Sequence, residues 1–291
     1  MAGSNSPVAE NDRAEDAEDN APELPAGVTE REVENIEERA RLRTPVIYEI
    51  VRREGETEME RPIVSLWWSG VAAGLSISFS LLAQAVLWLH LPDAPWRPLI
   101  SCLGYSVGFL IVVLARQQLF TENTVTVVLP VVARFNLPNL RRLARMWSVV
   151  FVANMVGTFF AALFCTVTPV VSPELRGVML ELSRATMELG WAEMLCRGIG
   201  AGFLIAAMVW LIPSAEGAQF FVVTMNTYLI AVAGFTHIVA GSVEGFLLVL
   251  NGQFGFGQMF ADFTVPVLLG NITGGTALFA VLSYAQVMKE M

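Results

Sequence analysis

Leu119-Phe120-Thr121-Glu122-Asn123 interrupts an otherwise apolar run from Leu99 to Val132, and Gly234-Phe235-Thr236-His237-Ile238 interrupts a second run over residues 219–250. The two stretches resemble each other, and each half of the chain carries two further matches in the same order. Ser69-Gly70-Val71-Ala72-Ala73-Gly74 recurs as Arg197-Gly198-Ile199-Gly200-Ala201-Gly202, and Ala153-Asn154-Met155-Val156-Gly157 recurs as Gly270-Asn271-Ile272-Thr273-Gly274. Each copy holds three apolar spans, an odd number, so the second copy enters a bilayer upside down. The expected fold is an all-α membrane protein: six transmembrane helices in two inverted three-helix repeats, the second and fifth helices broken. Inverted repeats with interrupted helices set a solute pathway at their interface, near the bilayer midplane. The pattern therefore points to a channel or transporter.

Composition agrees. Of the 291 residues 54% are hydrophobic and 15% charged, the balance of a polytopic membrane protein. The formal charge of −9 is unevenly spread. Residues 1–43 hold 12 acidic and 5 basic side chains, whereas the rest of the chain holds 15 and 13. The acidity belongs to the tail and says little about what the apolar part binds. Cys102, Cys165 and Cys196 lie in or at the ends of apolar stretches, as small buried hydrophobes do. They form neither a metal-binding spacing nor a disulfide framework. The N-terminus lacks the basic-then-apolar order of a cleaved signal peptide, which leaves the first span as the insertion signal.

Three regions follow. Residues 1–43 form an acidic tail, too poor in large apolar groups over 1–27 to offset ordering entropy. Thr29 with Glu32 makes a capping box that opens a charged helix toward Arg43. Residues 44–62 read as an amphipathic helix started by Pro45, with Val46, Ile47, Ile50 and Val51 opposite Glu49, Arg52 and Arg53. It suits either the membrane surface or a solvated stalk. Residues 63–288 carry the spans, near 63–89, 98–133, 143–167, 193–212, 219–250 and 264–288. Arg52, Arg53, Arg61, Arg134, Arg141, Arg142, Arg145 and Lys289 fall on one side of the bilayer, against Arg97, Arg176 and Arg184 on the other. By the positive-inside rule both termini are cytoplasmic.

Chemistry concentrates at the interruptions. Backbone inside a bilayer leaves the helix only where protein or a water-filled cavity satisfies it. Half-helix ends there direct N–H groups and partial positive charge inward, which suits an anion or a polar acid. Thr121, Glu122, Asn123 and Thr236 are the polar residues of the interruptions. His237 is the one histidine within an apolar span, and an imidazole there can donate a proton or a hydrogen bond near neutral pH. It lines the pathway or serves as a hydrogen-bonded core residue. Arg116 and Arg197 must avoid lipid. Arg116 is expected to pair with Glu122, and Arg197 with Glu193 one turn earlier, or both draw an anion into a vestibule. The paired glycines allow close helix approach. Asn154 and Asn271 are expected to hydrogen-bond the interrupted backbone. Tyr105, Phe109 and Phe120 are either core aromatics or hydrophobic constrictions.

These residues resemble the formate/nitrite transporter family, in a branch with a long acidic N-terminus. The strongest match is Val265-Pro266-Val267-Leu268-Leu269-Gly270-Asn271-Ile272-Thr273-Gly274-Gly275, similar to that family's last-helix motif. Leu119-Phe120-Thr121, Gly234-Phe235 with His237, and Trp147 with Asn154 and Gly157 add to it, so the likeness runs over about residues 63–288. The resemblance implies an aquaporin-like fold, a homopentamer in the inner membrane with one pathway per protomer, and small monovalent anions as substrates. Formate, nitrite, lactate and hydrosulfide are examples. It also implies a central histidine bonded to the loop threonine, here His237 and Thr121. Tyr105, Phe109, Phe120 and Ile230 would be the constrictions, and the anion would cross as its weak acid. The chain departs from the family pattern at Glu122, Gly202, Thr236 and Gly241.

Two other readings compete. A pore for small neutral solutes would use the same scaffold with its added negative charge. A sensor or assembly platform would act through the acidic tail without transport. No nucleophile–base pair, metal cluster or nucleotide loop is visible, so no enzyme, cofactor, metal or nucleic-acid partner is expected; the partners are a small anion or weak acid and the lipid bilayer.

Overall fold

Peptide groups in apolar surroundings must bond one another. The computed structural model describes residues 41–290, and there the chain answers with helices and no strand. In order they are α1 (Thr44–Glu60), α2 (Ile63–His90), α3 (Arg97–Leu114), α4 (Glu122–Ala133), α5 (Leu137–Val167), α6 (Pro173–Met187), α7 (Trp191–Leu211), α8 (Gln219–Val232), α9 (Ile238–Leu250) and α10 (Phe256–Val287). Five of them (α2, α3, α5, α7 and α10) are long and apolar enough to cross a membrane, whereas α4, α8 and α9 are shorter apolar helices. The capping box at Thr29 and Glu32, and the tail up to residue 40, lie outside the described residues. Arg43–Met291 pack as one compact unit.

Several ends differ from the sequence reading. α5 begins at Leu137, six residues early, because the Asn136 side chain accepts the Asn139 N–H at 2.9 Å and Pro138 fits the first turn. α10 begins at Phe256 and contains two wider π-helical stretches, Met259–Thr264 and Thr273–Ala280. α6 was not anticipated; it starts where the Ser172 hydroxyl accepts the Leu175 N–H. α1 forms as expected but with a different buried face. Tyr48, Val51, Gly55 and Met59 turn inward, while Val46 and Ile50 remain exposed. A Cβ at Gly55 would lie 1.9 Å from the Thr126 carbonyl oxygen, so α1 docks directly onto α4.

The two halves share one packing rule. Gly70 and Gly74 of α2 meet Ala153, Asn154 and Gly157 of α5, and Gly198 and Gly202 of α7 meet Gly270 and Asn271 of α10. A Cβ on Gly74 would stand 2.3 Å from the Asn154 carbonyl oxygen, and one on Gly202 would stand 2.3 Å from that of Asn271. Neither seam admits a side chain. The close approach lets each asparagine reach past its neighbour helix to the non-helical segment beyond.

Those segments, residues 115–121 and 233–237, follow identical turns. Arg116 adopts φ 53° and Gly234 φ 65°. Gln117 N–H bonds the Val112 carbonyl at 2.9 Å, and Phe235 N–H bonds that of Ile230 at 2.9 Å. Arg116 N–H reaches Val113, and Gly234 N–H reaches Ala231, both at 3.0 Å. This is the Schellman helix ending, whose left-handed residue is usually glycine. Asn154 Oδ1 then accepts the Phe120 N–H while its Nδ2 donates to the Gly70 and Gln118 carbonyls. Asn271 Oδ1 accepts the Ile238 N–H while its Nδ2 donates to the Gly198 and Thr236 carbonyls.

The true internal equivalence is therefore Arg116–Phe120 with Gly234–Ile238. The likeness of Phe120-Thr121 to Phe235-Thr236 lies three residues out of register. Backbone hydrogen bonds set the repeat here, and side-chain identity does not follow it.

Two stability predictions follow from these ties. Asn154→Ala and Asn271→Ala each strand a buried N–H and a non-helical carbonyl, at about 1–3 kcal/mol per orphaned group; thermal melting in detergent should show a clear loss for each. Arg116→Gly removes a left-handed side chain whose cost is roughly 1–2 kcal/mol, and the same assay should show a higher midpoint.

Candidate functional site

The first turn of α9 fixes the orientation of His237. The residue is the N-cap, and its Nδ1 accepts the Ala240 N–H at 3.2 Å. A ring nitrogen that accepts carries no proton, so in the neutral ring Nε2 holds the hydrogen. Nε2 lies 2.8 Å from Thr121 Oγ1, in the segment between α3 and α4. The pattern assigns Nε2 as donor and the threonine oxygen as acceptor. Both residues are at most 2% exposed. The Thr121 hydroxyl keeps one hydrogen with no acceptor among the described residues. The pair joins the two non-helical segments across a sequence separation of 116.

Aromatic groups close around it. Phe109 meets the imidazole edge-on with ring centroids 5.0 Å apart, and Tyr105 packs on Phe109 at 5.2 Å. Ile230 is fully buried, and its carbonyl serves the α8 ending. Phe120 turns the other way, against Trp147 and Phe151 at 5.7 and 5.3 Å. It lines neither cavity described below. Its backbone N–H is tied to Asn154, on the same helix as Trp147 and Phe151.

Two cavities flank the pair. The larger, about 580 Å³, is bordered by α1, the α3–α4 segment and the α7–α8 connection. Its polar lining is Glu54, Glu58, Arg116, Gln118, Glu122 and Glu216, among others. The smaller, about 260 Å³, is lined by Tyr105, Arg197, Thr236, His237, Gly241 and Glu244, with α6 along one side. The first touches Val209 and the second Arg197 of α7, a separation of about 18 Å on a helix rising about 1.5 Å per residue.

Charged residues partner differently from the sequence reading. Arg116 pairs with Glu54 of α1, not with Glu122. The left-handed turn aims its side chain out of the segment, where it is 77% exposed. Arg197 does pair with Glu193, at 2.6 Å, and also donates to the Gly234 carbonyl at 3.0 Å. Glu122 borders the larger cavity with Oε1 buried and unbonded. Asn123 is bound to its own loop, its Nδ2 donating to Gln118 Oε1 at 3.1 Å and its carbonyl accepting from Trp147 Nε1 at 3.0 Å. The Thr236 hydroxyl donates to the Met194 carbonyl at 2.9 Å, fastening its segment to α7.

Glu244 was missed in the sequence. It stands in the apolar run Ile238–Leu250 as the sole acidic residue, and a lone ionisable group in such a run is the available signal. Glu54 and Glu58 gave no comparable sign, because only the docking of α1 brings them to a cavity. Among the described residues no group of three or more His, Cys, Asp or Glu could hold a metal ion.

Comparison with known proteins bears on the family. Residues 45–285 match the family model described as formate/nitrite transporter. The inner membrane protein YfdC of Escherichia coli K12 is 42% identical over 261 residues, covering 90% of this chain and 84% of that protein. The formate channel FocA of Haemophilus influenzae is 27% identical over 248 residues, covering 76% of this chain and 86% of that one. Among solved structures, a pentameric formate channel with formate bound superposes with TM-score 0.66 at 20% identity, covering 78% of this chain and 98% of that one. An FNT family ion channel reaches 0.69 at 18% identity, over 84% and 98%. Helical fold, duplicated asparagine ties and a matched region spanning nearly every described helix lead to one assignment: the chain belongs to the formate/nitrite transporter family.

Proposed function

We propose that this membrane transport protein passes small monovalent weak acids of the formate and nitrite kind, entering as anions. The observation that carries the reading is the Thr121–His237 hydrogen bond. It sits where the two helix interruptions meet, with a cavity toward either end of α7. In this reading α3 with α4, and α8 with α9, each make one discontinuous crossing, completing six spans in two inverted repeats. Both termini then face the cytoplasm, residues 44–62 with α1 lie at the inner-membrane surface, and five copies assemble as in the pentameric formate channel.

The site's work is hydrogen bonding in a dry passage. A carboxylate leaving water needs donors, and three kinds stand near the pair. The Thr121 hydroxyl has a hydrogen to give, the imidazole Nε2–H can turn from Thr121 to a guest, and the first N–H groups of α9 carry partial positive charge. Tyr105, Phe109 and Ile230 supply the apolar collar that strips hydrated ions. Thr236, Asn123, Asn154, Asn271 and Arg197 hold the segments in place, and Arg116 stands at the larger cavity's rim.

The acidic lining of that cavity favours a second reading, passage of small neutral hydrogen-bonding solutes. Osmotic swelling of vesicles with uncharged solutes, run beside formate uptake, separates the two.

For the purified protein in liposomes, His237→Ala should lower formate flux by at least about tenfold, the equivalent of about 1.4 kcal/mol at the limiting barrier. Thr121→Val should do the same, and Thr121→Ser should retain most of the flux. Unchanged flux and pH profile in His237→Ala would remove the histidine from the mechanism.

A further inference from the structure

Two carboxyl groups each keep one buried oxygen without a hydrogen-bond partner, one in each cavity. Glu122 borders the larger cavity beside Thr121, and its Oε1 is buried with no hydrogen-bond partner. Glu244 lies on α9 two turns beyond His237, is 9% exposed, lines the smaller cavity, and has Oε2 buried without a partner. Neither side chain is in an ion pair among the described residues. A buried carboxyl oxygen that accepts no hydrogen bond is costly until a hydrogen reaches it. That hydrogen can be the carboxyl's own or one carried by a guest.

His237 is poorly placed to handle a proton itself. Its Nδ1 caps α9 and its Nε2 bonds Thr121. A proton at Nδ1 would displace the Ala240 N–H and set a cation against a helix N-terminus. The ring can lend a hydrogen bond without titrating.

The geometry points to Glu122 and Glu244 as the groups that exchange the substrate's proton, one in each cavity, with the Thr121–His237 bond as the neutral partition between them. This rests on the weak-acid transport proposed above and moves the proton step away from the histidine. On loading, the Glu122 O–H bond breaks and its proton forms an O–H bond on a carboxylate oxygen of the anion, leaving Glu122 as carboxylate. The neutral acid passes the partition. At the other end its O–H bond breaks, the proton goes to the Glu244 carboxylate, and the anion leaves. Water in each cavity resets the two carboxyls, so one proton and one anion cross together. The reverse direction runs the same steps backward.

Other charged groups face these two from the elements around them. Around Glu122 stand Glu54 and Glu58 of α1, Arg116 of the interruption and Glu216 of the α7–α8 connection. Around Glu244 stand Tyr105, Arg197 and His237, while α6 contributes Leu182, Ala185 and Thr186, and the turn after it Leu189, with no titratable group.

The test is formate uptake into vesicles holding the full-length protein, with a lumenal pH dye, at several external pH values. With both carboxyls present, uptake should carry protons and fall by clearly less than the supply of undissociated acid does. In Glu122→Gln and Glu244→Gln only acid already protonated in bulk water can pass. Their flux should then fall about tenfold per pH unit above the substrate's own pKa. Glu122→Asp and Glu244→Asp should restore the shallower profile, which a purely structural role for the carboxyls would not predict. Gln variants that keep the unmodified protein's rate and pH profile overturn this inference and leave the transport reading intact. Absence of flux in the unmodified protein overturns both.

Discussion

A peptide N–H released from a helix in apolar surroundings has no water to turn to, and two asparagine side chains meet that demand here. Asn154 and Asn271 each accept one freed N–H and donate to two carbonyls, one on a neighbouring helix and one in the non-helical segment. The amides can reach only because glycines thin the helices they pass. A side chain at Gly74 or Gly202 would drive the helices apart and withdraw the amide from its targets. Seam, amide and left-handed turn thus form one device, built twice. The position of every group near the centre depends on it.

The device also explains why His237 and Thr121 face each other although they are not equivalent residues. Asn271 holds Ile238 at the start of α9, which puts His237 at the N-cap with one ring nitrogen committed to the backbone. Asn154 holds Phe120, which leaves Thr121 as the next residue along and free to turn toward the imidazole. A 2.8 Å bond between them needs both anchors in place. The ring's hydrogen-bond pattern is therefore a product of helix capping before it is a matter of transport, and the proposed handling of a substrate proton falls to carboxyl groups with no such duty.

Much of the fold was legible because it rests on local patterns. Apolar runs mark the long helices, glycines four apart mark the seams, and the paired asparagines announce the ties. The Arg197–Glu193 pair follows from helical spacing alone. What failed was whatever depends on contacts between distant elements. The register of the two interruptions was misread from a Phe-Thr coincidence, because hydrogen bonds of the turn, invisible in residue identity, define it. Arg116 was assigned to Glu122 by proximity in sequence, but a positive φ swings it toward α1. The buried face of α1 was misjudged since Gly55, a residue without hydrophobic weight, is its point of closest contact. The packing of Phe120 on Trp147 and Phe151 of α5 is another contact between distant elements that sequence spacing does not show.

The three-residue offset between likeness and equivalence has an evolutionary reading. Duplication supplied two matching frames, and each frame polices only the few positions its amide touches. The residues between those positions are released from the symmetry and can diverge independently in the two copies. Side chains of the two non-helical segments can then change while the anchoring amides and glycine seams stay as they are.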